Sequence, residues 1–221
     1  MQCYSLHNDL DETWPGYTFR LAPGDEIILG DYRKALKAST FTETAFDADW
    51  RFDDATRAAL PKMNLFINMG GRNLPDLMGS YAPVPLRDET QGPIAISTRL
   101  SEALAPVMGA TLDLVPASGV LIDRLTGRKI PDHGFMFLSV ADERDTYVHD
   151  KIKVHEFTRP DGRFIRLVPA ISTHDPARVA EGIIWREPLD GALRCSERFK
   201  AIYDAIGCHG LHFQPTNMSA K

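Results

Sequence analysis

Positive charge, cysteine and long apolar runs are all scarce in this sequence, and each scarcity removes a class of function. Its 25 Lys and Arg are outnumbered by 30 Asp and Glu, which leaves a formal net charge of −5. That balance does not suit non-specific nucleic-acid binding, which needs clustered cations to displace phosphate counterions. No stretch approaches the roughly 18 apolar residues that a membrane span requires. The opening MQCYSLHNDLDETWPGY has no basic segment leading into an apolar one, so no secretory leader is expected and a cytoplasmic location is. Three cysteines, Cys3, Cys195 and Cys208, form no CxxC pair. A helix expected between the last two would hold them too far apart for a disulfide, so reduced and mostly buried thiols are expected.

What is present suits one folded domain. The 221 residues are 43% hydrophobic and 25% charged, near the averages for globular chains. CYSLHND alternates as a short strand. In the segment from Phe46 to Leu60, Asp53 or Asp54 can cap a helix that Pro61 ends. Leu65 to Met69 suits a strand before the Gly70-Gly71 turn, and the prolines of Tyr81 to Glu89 favour extended chain. Ile96 to Met108 reads as a helix capped by Ser97, with Leu100, Ala103, Leu104 and Val107 on one stripe and Pro106 ending or kinking it. Hairpins are expected over Gly119 to Ile130 and over Lys153 to Val168, the latter turning at Pro160-Asp161-Gly162. GFMFLSV has the continuous apolar character of a central strand. A strand over Gly182 to Arg186, a helix over Ser196 to Ile206 and the strand LHFQP complete the reading. The fold class expected is therefore α+β, a mainly antiparallel sheet with hairpins and two Ser-capped helices packed on it.

One internal echo runs through this pattern. Residues 85–116 align without a gap on 184–215, pairing Arg87 with Arg186, Gly92 with Gly191, Ser97 with Ser196 and Arg99 with Arg198. Leu112 falls on Leu211 and Pro116 on Pro215. Six identities in 32 positions are within reach of convergence, since any capped helix followed by a strand shares such a pattern, yet the two stretches should fold alike.

Chemistry-bearing residues do not assemble into a known signature. None of the seven histidines forms an HxxxH pair, and His209 and His212 are expected on opposite faces around Gly210. Cys208 beside His209 lacks a cysteine-protease context. Ser97 and Ser196 each precede a helix and need no role beyond capping. Gly70-Gly71-Arg72 matches neither phosphate-loop pattern. The acidic stretch Asp47, Asp49, Asp53 and Asp54 lacks the glycine and distal glutamate of a calcium loop, and reads as a solvated helix start. No catalytic residue, metal ligand or cofactor is expected.

The stretch IIWREPLDGALRCSERFKAIYDAIGCHGLHFQP resembles the closing segment of family eleven of the bacterial immunity proteins, which accompany polymorphic or contact-dependent toxins. The resemblance is carried by Trp185, Ser196, Phe199, Ile202, Gly207, Gly210, Leu211, Phe213 and Pro215. Upstream, Ser97 through FMFLSV to the 153–168 region and the pair Val115-Pro116 are similar too. It covers residues 84–216 of a single domain 1–221, whose residues 1–83 form a variable N-terminal part. What it implies is a protein that neutralises a cognate protein toxin by binding it, with no nucleic acid, no membrane, and self-association left open. The contact surface is expected from exposed segments. These are Asp47, Asp49, Trp50, Arg51, Asp53 and Asp54, with Trp50 as an anchor inside a polar rim or a core plug, and Asp142, Glu143, Arg144 and Asp145. Two other readings stay open: an enzyme such as a hydrolase acting on a nucleotide or a toxin product, and a small-molecule-binding regulatory domain.

Overall fold

The computed structural model describes residues 1–8, 20–22, 46–67, 73–79, 94–158, 164–169 and 171–219. The expectations for Gly70 to Arg72, for Tyr81 to Glu89 and for the turn at Pro160 to Gly162 lie outside these residues, as do Asn68 and Met69 and the echo's Arg87 and Gly92. In chain order the first elements are β1 (Cys3–Asn8), β2 (Arg20–Ala22), α1 (Asp54–Ala59), β3 (Asn64–Ile67), β4 (Leu77–Met78), β5 (Ile94–Ser97) and α2 (Thr98–Met108). Next come β6 (Leu112–Pro116), β7 (Leu121–Asp123), β8 (Lys129–Ile130), β9 (Phe135–Val140), β10 (His155–Thr158) and β11 (Phe164–Leu167). The rest are β12 (Thr173–His174), α3 (Pro176–Ala180), β13 (Ile184–Arg186), β14 (Leu193–Ser196), α4 (Glu197–Ala205), β15 (Leu211–Pro215) and β16 (Asn217–Met218).

The architecture is α+β and mainly antiparallel. Three sheets have the strand orders β13-β14-β1-β15, β4-β5-β9-β6 and β2-β3-β7-β8, and β10-β11 and β12-β16 form two small ribbons. Only β3 with β7 and β12 with β16 run parallel among the described strands. Both expected hairpins are present, β7 with β8 and β10 with β11. GFMFLSV supplies β9, which lies between β5 and β6 with five of its six residues buried.

The echo is structural. Shifting β5 by 99 residues gives β14, and shifting β6 gives β15, with no change of bounds. The registers agree as well. Ser97 pairs with Phe135 and Pro116 with Met136 around β9, while Ser196 pairs with Cys3 and Pro215 with Tyr4 around β1. Each half is thus a strand, a helix and a second strand enclosing a third, antiparallel strand. In the first half that strand follows in sequence; in the second it is the start of the chain. The edge strands match too, Leu77 facing Ile96 as Ile184 faces Cys195.

The two helices meet over one core. Leu100, Leu104 and Met108 of α2 join Phe199 and Tyr203 of α4, together with Ile96, Leu112 and Leu138 of one sheet and Leu6, Cys195 and Leu211 of the other. The expected stripe on α2 is rotated: Leu100, Ser101, Leu104 and Met108 are buried, while Val107 is 44% exposed. Pro106 does not end the helix, which runs on to Met108 and reaches its cap at Gly109. Ser97 caps α2 as expected, accepting from the Leu100 amide. Ser196 occupies the matching position without capping; its buried hydroxyl donates instead to the Gly182 carbonyl at 2.7 Å. The 46–60 segment holds only one short helix, α1, capped by Asp53. Before it, Phe46 and Phe52 bridge across a tight loop.

Candidate partner-binding surface

The loop before α1 is built by its own side chains. The Asp47 carboxylate accepts the amides of Asp49 and Arg51, both at 2.9 Å, a turn that aspartate makes readily. This forces Trp50 into the left-handed region, with φ of 59°, and turns its indole inward to 5% exposure. A left-handed conformation is costly for a bulky residue and persists only where its surroundings hold it. Here the holders are specific. Trp50 Nε1 donates to Glu143 Oε2 at 2.6 Å, the Ser139 hydroxyl donates to the Trp50 carbonyl, and the Arg186 guanidinium lies 4.4 Å from the ring centre. Phe46 covers the indole and stacks on Phe52.

Glu143 belongs to the second expected segment, which is itself anchored. The Arg186 amide donates to the Asp142 carbonyl and the Arg144 amide to the Arg186 carbonyl, so 142–144 extends alongside the edge strand β13. Arg144 pairs with Asp142 at 2.9 Å, and Arg178 donates to the Asp145 carbonyl at 2.7 Å. The two segments predicted for a partner surface, far apart in sequence, therefore meet through Trp50 and Glu143. Trp50 serves as a plug rather than an exposed anchor. Asp53 is occupied as the α1 cap, and Arg51 reaches the Ala110 carbonyl. Asp47, Asp49, Asp54 and Glu143 remain exposed, so the joint carries a mainly acidic surface.

Beneath this surface lies a buried polar network that sequence reasoning missed. Glu187 accepts from the Thr146 amide, the Thr146 hydroxyl and Trp185 Nε1. The same Thr146 hydroxyl lies 2.7 Å from His174 Nδ1. Tyr147 donates to Asp190 at 3.0 Å and accepts from Arg194 at 2.9 Å. Burial pushes the Glu187 carboxyl up to about 7, against the pull of its donors and of Arg194. Burial, then Arg194, pushes the His174 imidazole down to about 3, so it is neutral. A threonine hydroxyl has one proton. With Glu187 ionised, Thr146 gives that proton to the carboxylate; with Glu187 protonated, the carboxyl can donate instead and free the Thr146 proton for His174 Nδ1. The available signal was the charged run in WREPLDGALR, whose four ionisable residues sit among apolar strand residues.

A third cluster joins the two halves of the fold. Asp76, 2% exposed, accepts from Ser97 Oγ at 2.7 Å, from Arg99 Nε and Nη2 at 2.6 Å each, and from the His209 amide at 3.1 Å. Burial pushes its carboxyl up, but the bonds from Arg99, Ser97 and His209 prevail and hold it below its ordinary range. Cys208 beside it is no nucleophile at neutral pH, because burial and the Asp76 charge push its thiol up to about 12. Burial likewise raises Cys3 to about 12 and Cys195 well above the usual range, and all three thiols are free. Among the described residues no group of three or more His, Cys, Asp or Glu is placed to hold a metal ion, and no helix is long and apolar enough to cross a membrane. In comparisons with known proteins, no family model matches the chain and no curated protein matches it.

Proposed function

We propose that this chain neutralises a cognate bacterial protein toxin by binding it, without catalysis. The observation that supports this best is the joint between Trp50 and Glu143. It fixes two loops, 46–54 and 142–145, into one acidic surface, and the joint lies on a buried network that preorganises the second loop. Preorganised loops lose little entropy on association, which favours affinity. The resemblance of residues 84–216 to the immunity proteins supplies the partner class, and the exposed carboxylates suit a basic toxin, whose approach they would accelerate. A standard interface of about 800 Å² per partner would cover both loops.

The test is growth rescue and direct binding with the product of any toxin-domain gene found immediately upstream of this one, using Asp49→Lys with Asp54→Lys. Neither carboxylate is placed in a described hydrogen bond or ion pair, so the fold should survive. The expected result is a retained fold with thermal stability lowered only slightly, because Asp54 leaves the first turn of α1, together with an association rate about tenfold slower and a weaker salt dependence. Unchanged kinetics would move the interface elsewhere. Full rescue by a protein that never contacts the toxin would sink the binding reading, and leave an enzyme acting on the toxin's product.

A further inference from the structure

We propose that His7 and His212 form a two-imidazole site for a borderline divalent cation such as zinc, clipping the first strand of the chain to β15. The register places them directly opposite one another in the antiparallel pair of β1 with β15. Alternation puts them on one face: Leu6 and Phe213, their neighbours in sequence, belong to the helix-side core, so both histidines point away from it. Opposed residues on one face have Cβ atoms about 5 Å apart, a span that two imidazoles close on one ion through Zn–N bonds of about 2 Å. Both side chains are exposed, so an ion can reach them.

Neutral imidazole is the ligating form. The His7 side chain hydrogen-bonds Gln214, which orients the ring. Arg194, which the register places on the same face opposite Ser5, is committed to Tyr147 and lies 3.6 Å from Asp190. Imidazole pairs suit zinc, copper and nickel rather than magnesium or calcium. With two protein ligands, water fills the other positions, leaving the ion open to a further ligand. Such a clip would bind only the folded pairing of the chain's two ends, so it would stabilise the fold by mass action.

The experiment is a zinc titration of the full chain against a chromophoric chelator, paired with thermal melts in zinc, magnesium and EDTA. The expected result is uptake of one zinc and a melting midpoint raised by zinc but not by magnesium. H7Q and H212Q should each lose both effects, while a double H149Q/H155Q variant, lacking two other exposed histidines, keeps them. Absence of zinc uptake by the wild-type chain, or full uptake by either single variant, would overturn the proposal. Should H7Q fail to fold, H212Q on the edge strand decides.

Discussion

Glu187 and His174 make opposite demands on pH, and replacing Glu187 by Gln should expose the one that the other hides. The raised Glu187 carboxyl is protonated in the folded state up to about 7 but ionises in the unfolded chain from 4.5. The folded state therefore binds the extra proton, and its stability contribution is full below 4.5 and falls as pH rises to about 7. His174 behaves in reverse. Its imidazole stays neutral when folded down to about 3, whereas the unfolded ring takes a proton below 6.5. Its contribution is full above 6.5 and is lost as pH falls. Each group alone changes stability by about 1.4 kcal/mol per pH unit inside its window, and between 4.5 and 6.5 the two slopes cancel. E187Q removes one slope. Relative to wild type it should lose about 2 kcal/mol between pH 7 and pH 5, beyond any constant offset from altered hydrogen bonds. Urea unfolding at half-unit pH intervals measures this, and the other titrating groups drop out of the difference. Parallel profiles would refute the reasoning, because they would mean that the Thr146, Trp185 and Arg194 interactions keep the folded carboxylate ionised throughout.

Two further outcomes follow from the seam between the halves. Asp76→Asn should cost about 3 kcal/mol in urea unfolding, since it removes the buried charge that Arg99 and Ser97 address, and combining it with Arg99→Ala should be clearly less than additive. Because the folded carboxyl is held below its ordinary range, the wild-type advantage is present at neutral pH and disappears as pH falls below that range. Gly210→Ala should cost about 3 kcal/mol by the same assay: Gly210 has φ of 95°, and an added Cβ would lie 2.2 Å from Pro75 Cβ. A cost near zero would mean that this seam yields easily.

The strands with strong signals were legible in the sequence: β1, β9, β15 and both hairpins announce themselves by alternation, apolar runs and turn residues. The strands immediately before α2 and α4 were not. Ile94–Ser97 and Leu193–Ser196 run straight into their helices, and no turn residue separates a period of two from one of 3.6. Ser196 shows the limit of a local rule, since a capping serine and a serine bonding a distant carbonyl look identical in sequence. The candidate surface was half legible. Its two segments stood out as exposed and charged, but only tertiary structure brings Trp50 to Glu143, and only the Asp47 turn decides that the indole points inward. The network of Thr146, His174, Glu187 and Arg194 was legible only in part: Glu187 and Arg194 share the charged run WREPLDGALR, but Thr146 and His174 come from other segments that carry no pattern pointing to them.

The repeat explains where the two halves had freedom to differ. Their helix-side faces share one core and are constrained alike, apolar in both. Their outer faces are not. Ala95, Val115, Phe135 and Phe137 of the first half are buried in a second apolar cluster with Leu65, Ile67 and Leu121 of the third sheet. The register places Arg194, Gln214, Cys3 and Ser5 of the second half at the matching positions. A face covered by another sheet must be apolar, since unpaired polar groups there would cost more than they return. The second half's outer face meets loops and short elements that carry their own donors and acceptors, so it can hold Arg194 against Tyr147 and Asp190 and leave His7 and His212 in the open. That asymmetry concentrates the chain's unusual chemistry on one side of a scaffold whose two halves share one topology. The same side underlies the 142–145 loop, through Thr146 and Glu187, so changes in that polar layer are the ones expected to reach the acidic surface.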